Sequence, residues 1–257
     1  MPETRGKALA LGTFDGVHLA HRTLVRQAAR AGGPCGASAV TFDRLPGSLL
    51  GTNGKTRQIV SLEDKVALLK MAGADDVEVL RFDEGLCHME AEDFFERLIV
   101  RRFQPSSLTV GHDYRFGRHG KGDVDLLERL CSLHGIALTV IDEIDKNGIR
   151  ISSTEIRRRI AAGEPKAAAE MLGRWHFIKV RREGALLLPV GGIELPPADM
   201  RFYTKVFSHM PVIEGPFEGF DACFAISYDG TSPEVRLCAT GTEGPDRGSY
   251  VLFGPRA

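Results

Sequence analysis

Up to Gly173, short apolar runs alternate with stretches in which apolar residues recur at helical spacing. Apolar runs bounded by turn residues are typical of buried strands, and amphipathic stretches between them are typical of covering helices. Such alternation predicts an α/β fold, a Rossmann-like doubly wound parallel sheet. The predicted strands are Ala8–Leu11, Ala37–Phe42, Val77–Leu80, Leu108–Val110 and Ile136–Ile141.

The pattern changes beyond Arg174, where helical periodicity disappears and proline and glycine become frequent. Short alternating runs at Arg201–Val206, Ala222–Tyr228 and Val235–Ala239 predict strands. We therefore predict two domains: residues 1–173, which contain the parallel sheet, and residues 174–257, a second, smaller antiparallel β domain.

The segment between the first predicted strand and the first helix has the features of an anion site. It reads Gly-Thr-Phe-Asp-Gly-Val-His-Leu-Ala-His from Gly12 to His21. The first N–H groups of a helix lack internal partners and attract phosphate, and His18 and His21 would add two imidazoles on one helix face. Structural histidines are the alternative, and a metal site would need a further ligand at suitable spacing.

A second segment carries an unusual cluster of cations at a predicted helix start. Ser152 and Glu155 fit a capping box, and three arginines follow at Arg157, Arg158 and Arg159. Cations are unfavourable near a helix N-terminus, which predicts an anionic partner. Taken alone, a solvated basic helix face explains the segment equally well. Together with the histidine turn, we favour a polyphosphate bound by hydroxyls, N–H groups and a guanidinium fork.

A third segment, Gly111–Gly117, also follows a predicted strand. Ligands of parallel sheets bind beyond the carboxyl ends of the strands, so we expect the three segments to converge on one crevice. For Asp113, Tyr114 and Phe116 the residues alone favour a surface loop with aromatic rings packed on the core.

Composition narrows the classes of partner. The 257 residues carry a formal net charge of -1, which gives no global attraction to nucleic acid or to an anionic membrane. We find no apolar run as long as a membrane span, no apolar signal segment and no Cys-x-x-Cys pair among the five cysteines. We predict a cytoplasmic protein with small-molecule substrates, without nucleic-acid or membrane partners, and leave self-association open.

The histidine turn and the segment Ile-Ser-Ser-Thr-Glu-Ile-Arg from Ile151 resemble the two signature motifs of the nucleotidyltransferase superfamily. The segments Val40–Asp43, Val110–Gly117 and Ala168–Gly173 narrow the resemblance to the adenylyltransferase module of prokaryotic FAD synthetase. The resemblance spans Ala8 to Gly173 and implies that FMN and ATP react, with Mg²⁺, to give FAD and pyrophosphate.

The resemblance also implies roles for individual residues. Those expected to act in catalysis are His18, His21 and Arg157. Those expected to bind ATP are Gly12, Thr13, Phe14, Ser153, Thr154 and Arg157. Those expected to bind FMN are Asp113, Phe116, Gly117, Thr41 and Phe42. Mg²⁺ is expected to bridge phosphate oxygens without a protein cage.

Three departures from the family pattern affect these expectations. Ala20 replaces a glycine between the two histidines, and Arg44-Leu45-Pro46 keeps one proline of a Pro-His-Pro segment. The riboflavin kinase motif Gly-x-Pro-Thr-Ala-Asn is missing, since the only asparagines are Asn53 and Asn147. We predict an FMN adenylyltransferase with a reduced, kinase-inactive second domain. The alternatives are a nucleotidyltransferase with another acceptor and a non-catalytic flavin or nucleotide sensor.

Overall fold

A computed structural model of the chain describes residues 6–48, 56–183, 186–190, 193–195, 201–207, 210, 222–228, 233–237 and 249–256. The chain divides into two compact units. The first consists of Met1–Thr56 and Lys65–Ile144, and the second consists of Arg57–Asp64 and Asp145–Ala257. No described helix has the length and apolarity that crossing a membrane requires.

The first unit is a doubly wound α/β sheet, which confirms the predicted fold class. Its five strands lie in the order β3-β2-β1-β4-β5, and every neighbouring pair is parallel. The strands are β1 Ala8–Leu11, β2 Ala37–Phe42, β3 Asp76–Leu80, β4 Ser107–Gly111 and β5 Ala137–Ile141. The helices are α1 Leu19–Gly32, α2 Leu62–Met71, α3 Glu84–Cys87, α4 Ala91–Phe94 and α5 Val124–Leu133.

The central strand β1 lies between β2 and β4, with Ala10 level with Ala39 on one side and Thr109 on the other. All four of its residues are buried, as expected for a strand covered on both faces. Helix α4 continues as a π-helix over Phe95–Phe103. Gln104, in the left-handed region, ends it by donating its N–H to the carbonyls of Ile99 and Val100.

The second unit contains a short hairpin, two helices and a barrel. The hairpin pairs β6 Asp145–Lys146 with β7 Ile149–Arg150, and the helices are α6 Ser153–Ala161 and α7 Pro165–Leu172. Six antiparallel strands close the barrel in the order β10-β11-β12-β9-β8-β13. They are β8 His176–Glu183, β9 Leu186–Pro189, β10 Arg201–Phe207, β11 Ala222–Tyr228, β12 Pro233–Leu237 and β13 Ser249–Arg256.

The predicted antiparallel β domain is thus confirmed, and it contains six described strands where the sequence predicted three. Strands β8, β9 and β13 were not predicted. Strands β8 and β9 form a hairpin, whereas β13 pairs with β8 and β10, which are far from it in the chain. Residues 238–239 of the predicted strand Val235–Ala239 lie outside the described residues. By contact, α6 and α7 group with the barrel, and α7 touches β8 and β13. The division into residues 1–173 and 174–257 stays a prediction.

Candidate functional site

The turn from β1 into α1 has a constrained backbone. Phe14 and Val17 have φ angles of +49° and +43°, and Gly16 has +80°. Positive φ is unfavourable for a β-branched residue such as Val17, so the surrounding structure must hold it. The Val17 N–H donates to the Phe14 carbonyl at 3.2 Å, and both side chains are buried. Backbone strain of this kind clusters at binding sites.

The two histidines of the turn meet as the sequence predicts. His18 is the N-cap of α1, and its Nδ1 accepts a hydrogen bond from the His21 N–H at 3.4 Å. The two imidazole rings stack with centroids 3.6 Å apart and planes 18° apart. The Phe14 ring meets His21 edge-on at a centroid distance of 5.2 Å. An acceptor role at His18 Nδ1 leaves the proton of a neutral ring on Nε2.

Burial sets the charge of His21. The pKa of His21 is held well below its usual value by burial, and further by the positive potential of His18 and Lys65. His21 is therefore a neutral imidazole at neutral pH, and its buried Nδ1 has no hydrogen-bond partner among the described residues. A neutral ring can donate one hydrogen bond to a phosphate oxygen without a change in protonation.

Lys65 is a site residue that the sequence analysis missed. Its side chain is only 3% exposed, and its Nζ donates to the carbonyls of Phe42 at 2.7 Å and Thr13 at 3.3 Å. Burial lowers the pKa of Lys65 to about 8, opposed by the carboxylates of Asp15 and Asp43. A signal was available: Lys65 lies three and four positions before Leu68 and Leu69, on the buried face of α2.

Thr41 and Phe42, predicted to contact FMN, have internal contacts. Thr41 is 0% exposed, and its hydroxyl donates to the Thr13 carbonyl at 2.9 Å. The Phe42 ring meets Phe82 edge-on at 5.4 Å. Thr41 therefore supports the turn that contains Thr13.

Thr41 and Thr109 form a matched pair for a stability test. The Thr109 side chain in β4 is 1% exposed, and its hydroxyl has no hydrogen-bond partner among the described residues. Thr109→Val should raise the free energy of unfolding by about 1 kcal/mol, because an unsatisfied buried hydroxyl is removed. Thr41→Val should lower it by about 1 kcal/mol, because a formed hydrogen bond is lost. Urea unfolding of both variants checks this, and equal signs would contradict it.

The loop after β4 divides its residues between core and surface. Asp113 is exposed, whereas Phe116 is buried and packs on Phe94 and Tyr114 at ring-centroid distances of 5.9 Å and 5.8 Å. Gly117 has φ +70°, and a Cβ there would lie 2.5 Å from the Ala91 Cα. Asp113 is thus the loop residue of this set with an exposed side chain, and Phe116 and Gly117 fix the backbone of the loop.

The turn after β1 and the loop after β4 follow adjacent parallel strands, so they lie at the same edge of the sheet. In the order β3-β2-β1-β4-β5 the connections change direction between β1 and β4, which is where such sheets bind ligands. The structure thus brings His18, His21 and Thr13 together at the topological switch point. No group of three or more His, Cys, Asp or Glu in the described part of the chain has the geometry of a metal site.

The third predicted segment begins α6 in the second unit. The Ser152 hydroxyl accepts from the Glu155 N–H at 3.2 Å, so half of the predicted capping box forms. The Glu155 carboxylate accepts hydrogen bonds from the Arg158 guanidinium at 2.6 and 2.7 Å and from the Arg159 guanidinium at 2.7 Å. Arg159 also bonds Glu164 at 2.6 Å. The predicted anionic partner of Arg158 and Arg159 is therefore the protein itself, and a ligand is not needed to offset them.

The other expected residues of this segment are Ser153, Thr154 and Arg157. Ser153 and Arg157 are half-buried, and Thr154 is exposed. They belong to the second unit, whereas His18 and His21 belong to the first.

The pairing of Glu155 predicts a pH-dependent contribution to stability. Hydrogen bonds and charge from Arg158 and Arg159 lower the pKa of Glu155 from 4.5 to about 2. A lowered carboxylate pKa stabilises the fold above the unfolded pKa, and the contribution is lost as pH falls toward 2. Because Arg158 is exposed and Glu155 and Arg159 are only half-buried, solvent screens the pairs in part, and Glu155→Gln should reduce the free energy of unfolding at pH 7 by about 1 kcal/mol.

Urea unfolding between pH 7 and pH 3 measures this contribution. The difference between wild type and Glu155→Gln should stay constant from pH 7 to about pH 5 and then shrink as pH falls toward 3. Asp93→Asn is the control, since Asp93 pairs with Arg97 at 3.2 Å on an exposed helix face and should change stability by less than about 0.5 kcal/mol. A pH-independent difference for Glu155→Gln would contradict the assignment.

Comparison with known proteins decides the family. A sequence profile described as FAD synthetase matches residues 1–155. The chain belongs to the FAD synthetase family. The FAD synthetase match includes the whole parallel sheet, the histidine turn and the start of α6 with Ser153 and Thr154, and it ends before Arg157.

Two relatives in the family are named bifunctional riboflavin kinase/FMN adenylyltransferase. The protein of Escherichia coli (strain K12) is 31% identical over 170 residues, which cover 65% of this chain and 54% of that protein. The protein of Listeria monocytogenes serovar 1/2a is 32% identical over 170 residues, with the same two coverages. The chain thus spans about half the length of these relatives.

A solved structure, titled macrolide-efflux protein from Streptococcus pneumoniae, has the same fold. It superposes with a TM-score of 0.81 at 21% identity, covering 98% of this chain and 85% of that one. At this identity the likeness shows the fold alone. It supports the description of a parallel sheet followed by a barrel.

Proposed function

We propose that this protein is an FMN adenylyltransferase that converts FMN and ATP to FAD and pyrophosphate. The stacked pair of His18 and His21 carries the proposal, because it stands at the N-terminus of α1, at the switch point of the sheet, inside the segment that matches the FAD synthetase family. Helix N-termini at this position attract phosphate.

The reaction needs positioning and charge stabilisation rather than covalent catalysis. An oxygen of the FMN phosphate forms a bond to the α-phosphorus of ATP, the bond from that phosphorus to the bridging β-phosphate oxygen breaks, and pyrophosphate leaves. His18 and His21 donate hydrogen bonds to phosphate oxygens whose charge grows in the transition state. The neutral His21 ring has one N–H group available for such a hydrogen bond.

The remaining roles follow the family resemblance. Gly12, Thr13 and Phe14 line the adenosine pocket. Mg²⁺ would be held mainly by ATP itself rather than by protein side chains, and it would offset the charge of the phosphates. The residues proposed to bind the β- and γ-phosphates are Ser153, Thr154 and Arg157. The residues proposed to bind FMN are Asp113, Phe116, Gly117, Thr41 and Phe42. Asp113 is the exposed member of this set, and the others are buried or half-buried.

We further propose that the barrel lacks riboflavin kinase activity. The support is the sequence, which holds no asparagine beyond Asn147 and hence no Gly-x-Pro-Thr-Ala-Asn segment. Self-association through the barrel and a cytoplasmic location are parts of the same proposal. The free thiols of Cys87 and Cys131 suit a reducing compartment.

The test is incubation of the protein with ATP, Mg²⁺ and either FMN or riboflavin, with chromatography of the products and a pyrophosphate assay. We expect FAD and pyrophosphate from FMN, and no product from riboflavin. FMN made from riboflavin would contradict the kinase-inactive barrel. Binding of FMN and ATP without pyrophosphate release would favour a sensor, and transfer of a nucleotide to a different acceptor would favour the other nucleotidyltransferase.

A further inference from the structure

Lys65 holds a positive charge where the fold has little water to solvate it. A lysine that is 3% exposed needs compensating hydrogen bonds, and Lys65 finds them in two backbone carbonyls, of Phe42 and Thr13. Phe42 ends β2, and Thr13 follows β1. The ammonium group therefore joins the carboxyl ends of two central strands at the edge where the histidine turn lies.

The Thr13 carbonyl is held from two sides. It accepts from the Thr41 hydroxyl at 2.9 Å and from Lys65 Nζ at 3.3 Å, which uses both lone pairs of the oxygen. Because the peptide group is planar, fixing this carbonyl also fixes the direction of the Phe14 N–H. Phe14 is the first residue of the turn in the left-handed region and packs against His21.

The charge on Lys65 also acts on the His21 imidazole. Carboxylates of Asp15 and Asp43 oppose the effect of burial on the ammonium, and the ammonium in turn contributes to keeping His21 uncharged. Lys65 thus acts on the turn in two ways, through the Thr13 carbonyl and through its potential at His21.

We propose that Lys65 is a positioning residue of the ATP site, which fixes the Thr13 carbonyl and thereby the turn that presents His18 and His21 to the phosphates. This inference rests on the proposed adenylyltransferase function. It gives the histidine turn a supporting group from a helix that is distant in the chain. Lys65 touches the turn, and not the reacting atoms.

The main test is Lys65→Met, which removes the charge and both hydrogen bonds with little change in volume. We expect kcat/KM for ATP to fall by about tenfold or more, because a displaced turn no longer aligns the imidazoles. Thr41→Val removes the other hydrogen bond and keeps the charge, so a fall of about threefold is expected. Since both act on the Thr13 carbonyl, the double variant should lose less than the product of the two effects.

The pH profile distinguishes positioning by a charge from a general loss of stability. Wild-type kcat/KM for ATP should decline above pH 8, where the ammonium with its pKa of about 8 loses its proton. Thr41→Val should keep this decline, and Lys65→Met should lack it. The titratable groups that face Lys65 are Asp15, Asp43 and His21, and carboxylates and imidazoles ordinarily change charge below about pH 7.

Two results would overturn the proposal: a Lys65→Met enzyme with wild-type kcat/KM for ATP, or one with an unchanged alkaline decline. If Lys65→Met does not fold, a measurement on the wild-type protein tests the proposal instead. Its Phe14 amide resonance, followed by NMR without substrates, should shift with a midpoint at the Lys65 pKa of about 8, and a flat shift overturns the proposal. Failure to make FAD from FMN and ATP is a separate result, which concerns the proposed function.

Discussion

Replacing His18 with asparagine is expected to lower kcat/KM for ATP by about 10²- to 10³-fold, the usual cost of removing one donor to a developing oxyanion. The loss should appear mainly in kcat, because the hydrogen bond is strongest when charge grows on the phosphate oxygens. Steady-state kinetics with FMN and ATP measures it. Activity within threefold of the wild type would show that His18 does not bind the phosphates during the reaction.

Asparagine is chosen because His18 has a second role. It is buried and caps α1, so an alanine there would also lose the cap, at about 1 kcal/mol of stability. Asparagine is a good N-cap and should preserve the helix start. The pair His18→Asn and His18→Ala therefore separates the two roles: equal activity losses with unequal melting temperatures are expected. Unequal activity losses would indicate that the cap itself limits catalysis.

Replacing Gly117 with alanine is expected to lower the free energy of unfolding by about 3–5 kcal/mol, combining left-handed strain with overpacking. The new Cβ would lie 2.5 Å from the Ala91 Cα and 2.6 Å from its N, both backbone atoms that cannot rotate away. The Gly117 loop is anchored to α4 by this close approach, and the same substitution should also disturb Asp113 at the proposed FMN side. Urea unfolding and FMN binding measure the two effects.

Gly135 provides the matched control. Its φ of +65° is close to the +70° of Gly117, but a Cβ at Gly135 meets nothing within 4 Å. Gly135→Ala should therefore show the backbone strain alone, about 1–2 kcal/mol. The difference between the two variants measures the contact with Ala91. Equal destabilisation would show that the loop moves away from α4 at little cost.

Local patterns in the sequence were enough for most of the first unit. Strands β1 and β2 have the predicted bounds, and the predicted N-cap Ser152 accepts from the Glu155 N–H at 3.2 Å. Such features depend on periodicity and on residues a few positions apart. Local patterns predicted only three of the six described barrel strands. Closure of the barrel depends on pairs such as β13 with β8, which are far apart in the chain.

The sequence by itself determined the α/β fold, the position of the histidine turn after the central strand, and the resemblance to the FAD synthetase family. Tertiary structure alone decided which side chains the turn relies on. Lys65 and Thr13 are separated by 52 positions, and Thr41 and Thr13 by 28. Local propensity sets where elements begin and end, whereas hydrogen bonds to buried charges form only when distant segments pack together.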